Sequence, residues 1–167
     1  ADVLSGEHPN HAWIAANTNP DDVTGTLSEA MRGADVFLGV SAPDVITEAD
    51  VESMAPDSIV FAMANPVPEI DPDIAARHAA VGATGRSDFA NQINNVLVFP
   101  GVFRGLIDSG VSHVDMDVLL AAADALADVV RDDERNATYI IPSVFHPDVS
   151  TVVADAVGAA VAAREGA

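Results

Sequence analysis

The sequence contains no lysine and no cysteine in 167 residues, and aromatic residues make up only 5% of it. Without cysteine there is no disulfide framework, thiolate nucleophile or cysteine-based metal site. Without lysine there is no lysine base, Schiff base or phosphate-binding lysine. These absences exclude several common catalytic strategies. The lack of cysteine fits an intracellular protein, and we expect a cytoplasmic location.

Positive charge is also scarce, because seven arginines face 26 acidic residues and leave a net charge of −19. Self-repulsion on this scale opposes the compact state in dilute salt. Concentrated salt relieves it, since the Debye length falls to about 3 Å at 1 M. The composition therefore predicts a halophilic protein. Nucleic acid and anionic membranes are poor partners for such a surface, and no apolar run approaches the length of a membrane span.

Short apolar runs alternate with amphipathic segments along the chain. We predict buried strands at residues 13–17, 35–40, 58–64, 79–84 and 138–143. We predict helices at residues 21–33, 47–55, 71–79, 115–131 and 148–164. This alternation indicates one α/β domain over residues 1–167, with a partial doubly wound, Rossmann-like parallel sheet and helices on both faces.

Polar residues mark the starts of the predicted helices. Asp21 or Asp22, then Thr47, then Asp71 are candidate N-caps. A further helix is predicted from Asn94 and Asn95 to a stop at Gly110, with a break near Pro100. The free backbone N–H groups at its N-terminus would favour an anion.

The residues directly after the predicted strands are the best candidates for a site, because open α/β sheets bind ligands beyond the carboxyl ends of their strands. They are small groups and amides at positions 41–43, 65–66, 85–87 and 94–95. Such a lining suits a neutral ring, a ribose or a carboxylate. Purely structural interpretations remain open: Asn65 as a turn residue, Asn94 or Asn95 as an N-cap, and Arg86 as the partner of Asp88. No G-x-G-x-x-G motif or P-loop is present, and the five histidines show no metal-ligand spacing.

Four segments closely resemble the malic enzymes, particularly the shorter microbial type: "GADVFLGVSAP", "IVFAMANPVPEI", "ATGRSDFANQINNVLVFPGVFRG" and "YIIPSVFHPDV". The resemblance covers essentially the whole chain and corresponds to the later part of the family's C-terminal NAD(P)-binding domain. It implies oxidative decarboxylation of malate to pyruvate and CO₂ with NAD or NADP, assisted by Mg²⁺ or Mn²⁺. We also expect a homo-oligomer, and the choice between NAD and NADP stays open.

By motif position, the resemblance implies that Asn65, Asn94 and Asn95 bind the substrate. It implies dinucleotide contacts from Ser41, Ala42, Asn65, Thr84, Gly85, Arg86 and Asn94. The family's catalytic lysine and tyrosine, its metal-binding acids and its glycine-rich loop lie upstream. The only tyrosine here, Tyr139, falls in a late predicted strand. We therefore expect no catalytic or metal-binding residue in this chain, and no activity from it alone.

Two alternatives to this interpretation stay open. The chain could be a stand-alone, truncated and non-catalytic module that assembles with a companion chain or regulates a partner. It could belong to another Rossmann dehydrogenase, such as an amino-acid dehydrogenase, but the run "FANQINNVLVFPG" argues against that.

The segment "DDVTGT" at residues 21–26 resembles the family's metal-binding segment. However, its continuation "GTLSEAMRGADVF" matches a later part of the domain. We therefore interpret Asp21 and Asp22 as helix-start residues rather than metal ligands.

Overall fold

A computed structural model describes residues 9–165 and contains a three-stranded parallel sheet. The strands are β1 (Val36–Gly39), β2 (Ile59–Ala62) and β3 (Val81–Thr84), and β2 lies in the centre. In the register, Phe37 pairs with Val60, and Val60 pairs with Gly82. The predicted strands at 35–40, 58–64 and 79–84 are confirmed, as are the α/β class and the parallel sheet.

Seven α-helices accompany this sheet within the described residues. They are α1 (Pro9–Asn17), α2 (Leu27–Met31), α3 (Glu48–Glu52), α4 (Pro72–His78), α5 (Phe99–Asp108), α6 (Met116–Asp128) and α7 (Val149–Glu165). The hydroxyl of Thr47 accepts from the N–H of Asp50 at the start of α3, and the carboxylate of Asp71 caps α4. Both predicted caps are confirmed.

The prediction of a strand at 13–17 is wrong, because these residues form the end of α1. Trp13 and Ile14 are 66% and 41% exposed, so the run is not a buried strand. The Asn17 amide donates to the Trp13 carbonyl and the Thr18 hydroxyl to the Ile14 carbonyl, both four residues back along the helix. A short apolar run fits either type of element, and here the local hydrogen bonds favour the helix.

The prediction of a strand at 138–143 is also wrong. Asn136 and Tyr139 form an isolated antiparallel bridge, and the side-chain oxygen of Asn136 accepts from the Thr138 N–H group. The N–H of Ile140 donates to a side chain, Asn91 Oδ1, at 2.9 Å. Pro142 has no N–H at all. The donors that a strand would need for pairing are therefore absent or already used.

The predicted helix at 21–33 is shorter than expected, and its predicted start is wrong. Asn19, Asp22 and Gly25 have positive φ angles of 55°, 50° and 127°, which a right-handed helix does not allow. The cap is Thr26, which forms a reciprocal capping box with Glu29.

The predicted break in the helix at 94–110 is confirmed. A 3₁₀ turn at Asn95–Leu97 is followed by α5, with Pro100 in the first turn of the α-helix. Gly110 ends the segment with a φ of 68°.

Two hydrophobic cores form among residues 9–165. One packs α2, α3 and α4 against the face of the sheet that carries Val60 and Ala62. The other lies among α5, α6 and α7, with Val118, Val153 and Val157 fully buried. The long helices thus form a layer with an interior of its own.

The opposite face of the sheet is bare at β1. Val36 is 53% exposed and Leu38 is 62% exposed, although parallel sheets are normally covered on both faces. Over this strand, the second covering layer expected from the sequence is absent from the described residues. Among those same residues, no helix is both long enough and apolar enough to cross a membrane.

Candidate functional site

The loops that follow β1 and β2 are held together by one buried carboxylate. Glu69 is 0% exposed. Its Oε1 accepts from the Ser41 N–H at 2.7 Å and the Ser41 hydroxyl at 3.2 Å, and its Oε2 accepts from the Ala64 N–H at 3.0 Å. Burial alone would raise the pKa of Glu69. The N–H donors of Ser41, Ala64 and Glu69 itself, together with the Ser41 hydroxyl, outweigh burial and lower the pKa below its ordinary value, so the group is an ionised acceptor at neutral pH.

The loops that follow β2 and β3 meet at Asn65. Its side chain is exposed and lies against Gly85: a Cβ placed there would be 3.1 Å from both Nδ2 and Oδ1 of Asn65. The Asn65 amide donates to the Met63 carbonyl at 3.3 Å, and the peptide bond to Pro66 is cis. The structure therefore brings Ser41, Asn65 and Gly85 to one edge of the sheet, as predicted from their positions after the strands.

Arg86, in the loop that follows β3, is engaged by neighbours in that same loop. Its guanidinium binds both carboxylate oxygens of Asp88, at 2.9 and 2.5 Å, and lies 4.7 Å from the centre of the Phe89 ring. The geometry of Arg86 is thus that of an ion pair with Asp88, the structural interpretation left open by the sequence. Thr84, at the end of β3, is 2% exposed, so it offers little surface to a ligand.

The amides before α5 divide into different roles. Asn91, 5% exposed, donates to the carbonyls of Gly82 and Ala137 at 2.9 and 2.8 Å and accepts from Ile140. It therefore fastens the segment at 137–140 to β3. Asn94 accepts from the Val96 N–H at 3.0 Å, which makes it the cap of the 3₁₀ turn.

Asn94 and Asn95 border a cavity of about 400 Å³ that is lined mostly by apolar side chains of α5 and α6. Its lining does not include Ser41, Asn65 or Gly85. Contacts among the described residues therefore join the loops after β1, β2 and β3 to one another. Asn94 and Asn95 lie instead beside this separate, apolar cavity.

One group of described side chains has the spacing of metal ligands: Glu48, Glu52 and His78. It lies at the contact between α3 and α4 and not at the strand ends. Glu48 is already paired with Arg77 at 3.3 Å and with His78 at 2.6 Å. The described part of the crevice shows no comparable cluster, and Asp21 and Asp22 are both exposed.

Two residues that hold these loops together, Glu69 and Asn91, were not among those predicted from the sequence. The signal for Glu69 is a lone acidic residue in "NPVPEI", between apolar residues and directly after a strand-end loop. Nothing in the sequence distinguishes Asn91 from the amides after it.

A parallel sheet with polar loops gathered at the carboxyl ends of its strands is the arrangement of nucleotide-binding open α/β proteins. The profile described as "Malic enzyme, NAD binding domain" matches residues 7–162. The chain belongs to this malic enzyme family.

The chain is 55% identical over 151 residues to the NAD-dependent malic enzyme of Geobacillus stearothermophilus, a match covering 90% of the chain and 32% of the relative. It is 48% identical to the bifunctional malic/malolactic enzyme of Bacillus subtilis (strain 168), covering 88% of the chain and 36% of the relative. The malic enzyme structure from Pyrococcus horikoshii Ot3 superposes with a TM-score of 0.87 at 40% identity, over 98% of the chain and 38% of that structure. The chain thus spans about a third of the length of these curated relatives.

Proposed function

We propose that this chain is part of a malic enzyme, which oxidises malate with NAD or NADP and decarboxylates the product to pyruvate and CO₂. The observation that carries the proposal is the family match over residues 7–162. It is supported by a sheet whose carboxyl-end loops bring Ser41, Asn65 and Gly85 together, at the edge where open α/β sheets bind ligands. In this proposal residues 1–167 form one domain that supplies binding and orientation.

The proposed dinucleotide contacts are Ser41, Ala42, Asn65, Thr84, Gly85, Arg86 and Asn94, and the proposed substrate contacts are Asn65, Asn94 and Asn95. Asn65 is the strongest of these because its exposed amide, which spends one donor on the Met63 carbonyl, still offers a donor and an acceptor at the meeting point of two loops. Asn94 already uses its oxygen as a cap, so it would approach a ligand with its NH₂ group. Arg86 would first have to share or release Asp88.

The catalytic lysine and the carboxylates for Mg²⁺ or Mn²⁺ would be supplied from outside this chain. The metal, when bound, would polarise the carbonyl of the substrate. The described cluster of Glu48, Glu52 and His78 does not fit this task, because it lies between two helices and is engaged by Arg77. We assign that cluster no role in the reaction.

We further propose that the whole protein is a halophilic, cytoplasmic homo-oligomer. Counting only pairs between described residues, six of the seven arginines form ion pairs with carboxylates, which leaves a large acidic excess for the surface. The bare face of β1, with Val36 and Leu38, supports burial against further protein. The same face supports the second candidate, a non-catalytic module that assembles with a partner chain.

The test starts with the native polypeptide, purified in concentrated salt from its own cells. Malate-dependent formation of NAD(P)H by a polypeptide much longer than this chain is expected, with none from the 167-residue chain alone. A native polypeptide of this chain's own size, inactive and copurifying with a second protein, would favour the module instead.

A substitution then tests the site itself. In the active polypeptide, Asn65→Ala should lower kcat/KM for malate about tenfold or more, since one hydrogen-bonding amide is lost from the crevice. Asn17→Ala, at the exposed end of α1, is the matched control and should leave kcat/KM unchanged. Equal values for the two variants would contradict the role of Asn65.

A further inference from the structure

We propose that Glu69 is a positioning residue: its carboxylate fixes the loop after β1 relative to the loop after β2, and so sets how Ser41 and Asn65 meet the dinucleotide. This inference rests on the proposed function. Glu69 itself is fully buried and does not reach the ligand surface. It acts through the two loops.

The two carboxylate oxygens of Glu69 accept from different loops. Oε1 accepts from the loop after β1, through the N–H and hydroxyl of Ser41. Oε2 accepts from the loop after β2, through the N–H of Ala64, directly before Asn65. A glutamine could not replace this bridge, because its NH₂ group would face one of the two N–H donors.

The backbone around Glu69 shows why the carboxylate is needed at this place. The two loops already run side by side further from the crevice, where the Asp44 N–H donates to the Pro68 carbonyl at 3.1 Å and the Ile46 N–H to the Glu69 carbonyl at 3.2 Å. Neither bond holds the turn that begins at Ser41. The side chain of Glu69 extends this connection to the edge of the sheet, where the proposed ligand would lie.

The end of β1 is shaped around this carboxylate. A Cβ at Gly39 would lie 2.5 Å from the Glu69 Cδ and 2.7 Å from its Oε1, distances that real side chains do not tolerate. Gly39 therefore leaves open the space that the carboxylate fills. This fit accounts for a glycine at the end of an otherwise apolar strand.

Glu69 also determines which hydrogen bonds Ser41 can offer. The Ser41 N–H is directed inward, and its hydroxyl donates to an ionised carboxylate that cannot donate in return. The hydroxyl oxygen can then present only its acceptor lone pairs to a ligand. That suits a ribose hydroxyl or a carboxamide NH₂, and it disfavours a phosphate oxygen at this position.

The experiment compares Glu69→Gln with Glu52→Gln in the complete, active polypeptide. Glu52 is an exposed glutamate on α3 and has no role in the crevice, so it is the matched control. The KM for the dinucleotide, the KM for malate, kcat and the Tm are measured, with the kinetics recorded well below each Tm. Glu69→Gln should raise the KM for the dinucleotide about tenfold, because a charged bridge between the loops is lost. The control should change it less than about twofold.

A purely structural Glu69 would give a different result. Glu69→Gln would then lower the Tm while both KM values stayed within about twofold of the unmodified enzyme, and that result overturns the proposal. If Glu69→Gln yields no folded enzyme, Glu69→Asp decides the question. It keeps the charge but is one methylene shorter, so it cannot reach both loops, and the same rise in KM is expected. An unchanged KM for Glu69→Asp would also overturn the proposal.

The same experiment separates this inference from the proposed function. An unmodified polypeptide without malate-dependent activity refutes the proposed function. An active polypeptide whose KM for the dinucleotide is insensitive to Glu69 refutes only the positioning role.

Discussion

Helices α5 and α7 approach each other through two glycines, Gly101 and Gly105, which lie one turn apart on α5. A Cβ at Gly105 would lie 2.6 Å from the Ala154 carbonyl oxygen and 2.7 Å from the Val157 Cβ. The carbonyl belongs to the backbone of α7 and cannot rotate away. The substitution Gly105→Ala therefore has to push the two helices apart, at the centre of the helical core.

Two opposing effects set the magnitude. Replacing glycine by alanine within a helix gains about 1 kcal/mol. Overpacking a close contact costs about 1–3 kcal/mol, and the fixed backbone atom puts this case at the upper end. We expect Gly105→Ala to lower the free energy of unfolding by about 1–2 kcal/mol, which corresponds to a fall in Tm of about 2–8 °C.

Gly158 on α7 provides a matched control within the same pair of helices. A Cβ there would meet only the Ser109 Oγ, at an ordinary distance of 3.7 Å. Gly158→Ala should therefore stabilise the protein by about 1 kcal/mol through helix propensity alone. Urea unfolding at one fixed, high salt concentration compares the two variants, provided that their m-values agree. If Gly105→Ala is as stable as Gly158→Ala, α5 and α7 do not approach each other this closely.

Three further predictions concern stability. Asn91→Ala should lower the free energy of unfolding by about 2–4 kcal/mol in the same urea assay, because it removes three hydrogen bonds and leaves the partly buried Ile140 N–H unpaired, whereas Asn17→Ala should have little effect. The Tm should rise as salt increases towards about 1 M, because screening relieves the repulsion among the excess carboxylates; a Tm independent of salt would contradict the halophilic interpretation. The folded pKa of Glu69 is lowered, so its contribution is present above the unfolded value of 4.5 and is lost as the pH falls through the folded value. Glu69→Gln should therefore flatten the acid dependence of the Tm in this range, and an unchanged acid profile would count against an ionised Glu69.

The elements that could be predicted from the sequence are those with two agreeing signals. The three strands of the sheet combine a continuous apolar run with a turn directly after it, and α3 and α4 have a cap at Thr47 and Asp71. The runs at 13–17 and 138–143 have only an apolar composition. Their structure depends on where individual N–H groups find acceptors, and composition does not contain that information.

The residues of the candidate site also divide into those that the sequence indicates and those that it does not. The rule that ligands bind beyond the strand ends predicts that Ser41, Asn65 and Gly85 lie at one edge of the sheet, because it depends only on the order of the elements. Glu69 could not be identified that way, since its donors are backbone N–H groups of two loops that meet only after folding. The same is true of Asn91, whose partners lie at positions 82, 137 and 140.

The two separate cores have a consequence for how the protein opens. A chain with one interior loses its structure as a single unit, whereas two interiors joined by a few hydrogen bonds can open one at a time. Asn91 provides hydrogen bonds of this kind, because its side chain fastens the segment before α7 to β3. The amides of α6 and α7 should then exchange their hydrogens with solvent as one cooperative group, and those of the sheet as another. The strand-end loops of Ser41, Asn65 and Gly85 belong to the second group, so they can move while the helical layer stays closed.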